Sequence, residues 1–197
     1  MTSSKAYNDI IKASSADHLE SFSYINTEEF RQIYDLTLNM IYSSTNNGGC
    51  IFTCGNGGSF SDSMHFTAEL MVRYVRDRRP IKSITLGSNL SCLSACSNDY
   101  SYDQVFKRDY EALSNDNDTL IAISTSGQSK NILNVINYAS SINRKWILLT
   151  SNRINEEPKG GLIVKFPFTT TAAIQECHIF YLHLICRGLD SLILGPE

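Results

Sequence analysis

Five short apolar runs set the limits on what this chain can become: "GCIFTCG" (49–55), "KSITLG" (82–87), "TLIAIST" (119–125), "WILLTS" (146–151) and "LIVKFPF" (162–168). None alternates apolar with polar residues. A strand apolar at successive positions must be covered on both faces, because neighbouring side chains point to opposite sides. Between and after the runs lie stretches long enough for crossover helices, predicted at 60–75, 104–114, 129–142 and 172–190. Alternating strands and helices imply parallel pairing. The fold class expected is therefore α/β, a three-layer, doubly wound five-stranded parallel sheet. The first fifty residues carry no strand signal. In "TEEFRQIYDLTLNMIYSS" the apolar residues recur at helical spacing behind Thr27, Glu28 and Glu29, a capped acidic start to a helix over 27–43. One domain over 1–197 follows, with N-terminal helices in 1–48 and an α/β core in 49–197. The apolar face of the N-terminal helix exceeds what one small sheet needs, which points to assembly with other copies.

Composition narrows the function. A net charge of −3 with no long basic run excludes a nucleic-acid surface as the main business. "MTSSKAYNDIIKASSADHLES" lacks the apolar centre of a signal peptide, and no apolar run approaches transmembrane length. The six cysteines form no C-x-x-C. Cys50 and Cys54 flank a buried strand, and Cys92 and Cys96 have the spacing of small core residues on a helix. Reduced thiols in a cytoplasmic protein, without membrane attachment, are expected.

Open parallel sheets bind ligands beyond the carboxyl ends of their strands. Two such ends look chemically prepared. "CGNGGSFSDSMHFTAEL" (54–70) leaves its strand through Gly55, Gly57 and Gly58, then places Ser59, Ser61 and Asp62 at a helix start. Phe60 stands where a dinucleotide fingerprint needs its last glycine, and no Gly-Lys-Ser/Thr follows, so a nucleotide is a poor fit. "STSGQSKN" (124–131) offers the hydroxyls of Ser124, Thr125, Ser126 and Ser129 around Gly127, just before a helix N-terminus. That combination suits a phosphate monoester. A serine-capped turn that binds nothing is the bland alternative. Two such turns at neighbouring strand ends favour a ligand.

Behind the glycine turn, His65 and Glu69 share a helix face at i and i+4. Alone, this is the pattern of an ordinary surface pair. "IQECHIFYLHLIC" (174–186) adds Gln175, Glu176, His178 and His183 on an otherwise apolar helix, where polar groups need partners. Spacing does not choose among them. At about 100° per residue, Glu176 aligns with His183 better than Gln175 does.

"CGNGGSFSDSMHFTAEL", "SNDYSYDQVF", "ISTSGQSKNIL" and "IQECHIFYLHL" stand in the order of the sedoheptulose 7-phosphate (phosphoheptose) isomerases, which this chain resembles over nearly its whole length. These have the sugar isomerase (SIS) fold. The resemblance implies a homotetramer with active sites at subunit contacts, acting on a phosphosugar, with no nucleic-acid partner. It implies one Zn2+ per subunit held by His65, Glu69, Gln175 and His183, choosing Gln175 over Glu176. It assigns Glu69 and His183 as the acid/base pair, and Ser124, Thr125, Ser126 and Ser129 to the phosphate. Asn56, Gly57, Ser59, Asp62, Arg73, Asp99 and Gln175 fall where the family lines its substrate site. The reaction implied is sedoheptulose 7-phosphate to D-glycero-D-manno-heptose 7-phosphate through an enediol, the first step of ADP- or GDP-heptose biosynthesis. The chain departs from the family pattern at Asn89, Ala173, Gln128 and Lys130. These departures touch no proposed metal or acid/base position, and bear on subunit contacts or the preferred sugar. The alternatives are an isomerase of another phosphosugar and a non-catalytic SIS protein that binds another protein.

Overall fold

The computed structural model describes residues 2–167 and 170–196. Two helices, α1 (Thr2–Ile25) and α2 (Glu28–Asn46), precede β1 (Ile51–Gly55) and α3 (Gly58–Met71). Then come β2 (Ser83–Thr85), α4 (Leu90–Asp99), a 3-10 turn at Tyr102–Gln104 running into α5 (Val105–Leu113), β3 (Thr119–Ile123) and α6 (Lys130–Ser141). The chain finishes with β4 (Lys145–Ser151), β5 (Leu162–Phe166) and α7 (Thr171–Leu194). All strand pairs are parallel, in the order β2-β1-β3-β4-β5. The last residue of the fifth apolar run, Phe168, lies outside the described residues.

Successive strand residues feed opposite cores. Ile51, Ile121, Ile123, Ile147 and Leu149 face α2, α3 and α7, where they meet Phe30, Phe66, Leu70, Tyr181 and Ile185. Phe52, Cys54, Leu120, Ala122 and Leu148 face the other side, against Phe106, Tyr110, Ile132 and Val135 of α5 and α6. β1 and β3 are buried at every position, as expected for central strands. The edge strands are not: Ile84 of β2 is exposed and β5 is only half-buried, because an edge has a neighbour on one side only.

Three helices begin under side-chain caps. Thr27 Oγ1 accepts from Phe30 N (3.2 Å), Asn89 Oδ1 accepts from Ser91 N and Cys92 N, and Thr170 Oγ1 accepts from Ala173 N. Asn89, a departure from the family pattern, thus has a local structural role. α3 and α6, the helices that follow β1 and β3, have no side-chain cap at all.

Several expectations need correction. α3 stops at Met71 rather than 75. α4 was not among the predicted helices, and on it Cys96 is buried while Cys92 is exposed. α7 has, by length and composition, the makings of a membrane-crossing helix, contrary to the expectation that no run approaches that length. It lies against the sheet instead, with Ile174, Tyr181, Leu182, Ile185 and Leu189 buried in the first core.

A buried ion pair ties α7 to the segment after α3. Arg78 Nε donates to Asp190 Oδ1 at 2.9 Å, and both side chains are almost fully buried. Arg78 also donates to the carbonyls of Glu69 and Leu70, each at 2.9 Å. Those are carbonyls of the last turn of α3, which otherwise end without helical partners. Asp190 Oδ2 accepts from Val75 N and Arg76 N.

Candidate active site

The carboxyl ends of β1 and β3 are adjacent, since Gly55 pairs with Ile123. The two polar turns predicted from sequence therefore face one another. Asn56, just past β1, and Asn131, in the first turn of α6, exchange two amide hydrogen bonds, each 2.9 Å. Tyr102 Oη donates to Asn56 Oδ1 at 2.9 Å. Neither Asn131 nor Tyr102 was among the site residues anticipated. Asn131 belongs to one of the quoted motifs, but its partner is 75 residues away in sequence, and no local pattern reports such a contact.

In the second turn, Ser124 Oγ accepts from Gly127 N at 3.1 Å and lies 3.4 Å from Ser129 Oγ. Ser126 Oγ accepts from Gln128 N at 3.2 Å. Thr125 contributes its carbonyl to the Ser151 hydroxyl (2.7 Å). A hydroxyl that accepts an N–H keeps its own proton to donate, so shaping the turn leaves these serines able to hold an anion. Gly127 has φ +66°, and a Cβ there would meet Ile154 at 2.7 Å. The departure Gln128 reaches across to the Arg153 carbonyl (3.1 Å), closing the turn from outside.

The space at Gly58 is filled by a side chain from α7. A Cβ on Gly58 would collide with Gln175 Nε2 at 1.7 Å, so the gap admits the Gln175 amide. That amide also neighbours the Asp62 carboxyl. Burial pushes the Asp62 carboxyl up to about 6, with the Gln175 amide and the nearby His65 pulling the other way. Its Oδ2 is buried without a partner among the described residues. Glu176, which aligns better with His183 by helical phase, is exposed, whereas Gln175 is half-buried against Gly58.

Two helical turns along α3, His65 Nε2 faces His183 Nε2 of α7 at 2.9 Å, one nitrogen donating to the other. Glu69 Oε1 lies 3.5 Å from His65 Nε2. Tyr74 stacks on the His183 ring, with centroids 5.4 Å apart and planes inclined at 27°. Burial, then the neighbouring His65, lowers the His183 pKa, with Glu69 opposing. The shift favours the neutral ring, the form that ligates metals.

Two imidazole nitrogens on one tetrahedral ion at about 2.0–2.1 Å each would stand roughly 3.3 Å apart. The His65–His183 separation is close to that, and a carboxylate adjoins. The donor set fits zinc, although among the described residues no three His, Cys, Asp or Glu side chains already stand as a metal cage. Gln175 lies eight residues before His183, about 12 Å along the helix axis. It joins such a set only by leaving Gly58.

Other anticipated residues are placed as follows. Gly57 and Ser59 form the β1 turn, Ser59 nearly buried and donating its N–H to Asn56 O. Arg73 is exposed beyond α3, its guanidinium on the Val75 carbonyl. Asp99 is exposed at the end of α4, accepting from Asn98. Neither is brought to the cradle within one chain. His178 is a core residue, fully buried with Nε2 on the Thr150 carbonyl at 3.2 Å, and burial lowers its pKa to about 4.

Comparison with known proteins agrees on fold and family. The SIS domain family model matches residues 15–151. The phosphoheptose isomerase of Campylobacter concisus is 41% identical over 164 residues, covering 82% of this chain and 86% of that protein. That of Helicobacter pylori (strain P12) is 36% identical over 184 residues, covering 93% and 95%. The structure of a phosphoheptose isomerase from Francisella tularensis superposes with a TM-score of 0.85 at 29% identity, over 97% of this chain and 100% of that one. The phosphoheptose isomerase structure from Neisseria gonorrhoeae gives 0.82 at 28% identity, over 95% and 98%.

Proposed function

The chain belongs to the SIS domain family, and within it to the phosphoheptose isomerases, and on that premise we propose that it converts sedoheptulose 7-phosphate to D-glycero-D-manno-heptose 7-phosphate. One observation carries the proposal. A hydroxyl-lined anion cradle at the carboxyl end of β3 and a carboxylate–imidazole cluster on α3 and α7 occur in one chain, with about 10 Å of α3 between the glycine turn and His65.

The roles follow from the chemistry. Ser124, Thr125, Ser126 and Ser129 hold the phosphate, whose binding energy positions carbons far from it. Asn56, Ser59 and Asp62 line the path between. Glu69 takes a proton from C1 and returns it to C2, while His183 moves protons on the two adjoining oxygens through an enediol. His65, Glu69, Gln175 and His183 are read as the zinc site, supported by the facing imidazoles. When bound, the ion supplies positive charge beside the reacting oxygens.

A homotetramer with sites at subunit contacts fits the exposed apolar residues Tyr7, Ile10 and Leu19 of α1 and Leu36 of α2. The exposure of Arg73 and Asp99 fits a place at such a contact. The four buried cysteines behave as small core residues, which suits a reducing, cytoplasmic setting. Light scattering with metal analysis of the same chromatographic peak should report four chains and about one zinc per chain. A fully active, metal-free monomer contradicts both readings.

Turnover of sedoheptulose 7-phosphate is the direct test. Ser126→Ala and Ser129→Ala should each weaken its binding by about 1.5–3 kcal/mol, roughly ten- to a hundred-fold. Turnover of a different phosphosugar in its place supports an altered preference, towards which the Asn89 and Ala173 departures point. No turnover of any phosphosugar favours the non-catalytic, protein-binding reading.

A further inference from the structure

We propose that Tyr74 is a positioning residue for His183, and that the buried Arg78–Asp190 pair holds it there. The inference rests on the acid/base role proposed for His183. A histidine ring turns about a broad, roughly two-fold torsion. Here one edge is fixed by His65 at 2.9 Å, and one face by the Tyr74 ring at 5.4 Å. Together these contacts leave the imidazole a single orientation.

Tyr74 has no regular structure of its own to hold it. It sits in the irregular segment between α3 and β2. The two residues that follow it, Val75 and Arg76, donate their backbone N–H groups to Asp190 Oδ2 at 3.4 and 3.1 Å. Asp190 lies seven residues after His183 on α7, two helical turns along the same face. The helix that carries the imidazole thus also carries the carboxylate that fixes its tyrosine. Arg78 completes the unit, joining Asp190 to the Glu69 carbonyl (2.9 Å). The backbone of the other proposed acid/base residue is held by the same pair.

Tyr74 itself takes no part in the ion pair, so replacing it separates orientation from folding. The test compares Tyr74→Leu, which keeps apolar bulk, with Tyr74→Phe, which keeps the ring. The first readout is the NMR resonances of the His183 ring protons in metal-free protein at one fixed pH. In the parent and in Tyr74→Phe they should carry the shift imposed by a facing aromatic ring, and in Tyr74→Leu they should lose it. The second readout is steady-state turnover. Tyr74→Leu should lower kcat by about ten- to a hundred-fold with little change in KM, whereas Tyr74→Phe should stay within about twofold of the parent. Unmoved His183 resonances in Tyr74→Leu overturn the proposal. So do moved resonances with an unchanged kcat. If the parent turns over no phosphosugar, the proposed function fails, and the ring resonances still decide whether Tyr74 orients His183.

Discussion

Glu69→Gln should lower kcat by about 10²- to 10⁴-fold, the range a positioned general base contributes, while sedoheptulose 7-phosphate still binds. Glutamine keeps the shape and one oxygen but cannot take up a carbon-bound proton. The backbone of Glu69 is fixed independently of its side chain, because Arg78 holds its carbonyl. The substitution therefore removes basicity without moving the last turn of α3. Exchange of the substrate's C1 proton with deuterated solvent isolates the step, and metal content measured on the same sample separates loss of the base from loss of the ion. Exchange at near the parent rate would remove Glu69 from the role of base and leave His183, whose Nε2 faces the same space, as the leading candidate.

Asp190→Ala should destabilise the fold by about 3–5 kcal/mol, as expected when one partner of a buried ion pair is lost. Arg78 would keep its charge in a site with almost no solvent, and the N–H groups of Val75 and Arg76 would lose their acceptor. The carbonyls of Glu69, Leu70 and Arg79 still receive the guanidinium, which favours the lower part of that range. Asp190→Asn keeps one acceptor oxygen and should cost less. Urea unfolding at fixed protein concentration measures both. A loss below about 1 kcal/mol for the alanine variant would show that the pair is not buried as described.

The sheet was legible because β1, β3 and β4 are apolar at consecutive positions, a signature that depends on nothing distant. α4 was not, because "LSCLSACSND" has too few large apolar residues to show a stripe. Its start is fixed by Asn89 and its inner face by one buried residue, Cys96. The end of α3 was misplaced for a related reason. The apolar pattern continues through Val72 and Val75, but Arg78 takes the carbonyls of Glu69 and Leu70, and the chain turns away. In the site, each motif announced its own residues: the serines around Gly127, and His65 with Glu69. What joins the motifs is carried by pairs distant in sequence, Asn56 with Asn131 and Tyr74 with His183. Helical phase could not choose between Gln175 and Glu176, because it does not register a glycine gap on another element.

The helices after β1 and β3 begin without side-chain caps, whereas those led by Thr27, Asn89 and Thr170 have them. A cap is typically worth about 0.5–2 kcal/mol, so the chain forgoes that stability at the starts of α3 and α6, as it also does at α5. A phosphate held at the start of α6, as proposed above, would restore it, since free N–H groups at a helix start are partners for negative charge. On the phosphate role proposed for the Ser124–Ser129 turn, resistance to unfolding would rise with the supply of phosphosugar. At a phosphosugar concentration a hundred times its dissociation constant, mass action adds about 2.7 kcal/mol to the folded state. A starved cell would hold the same polypeptide in a more fragile form, open to proteases and clearance, while a well-fed one would preserve it.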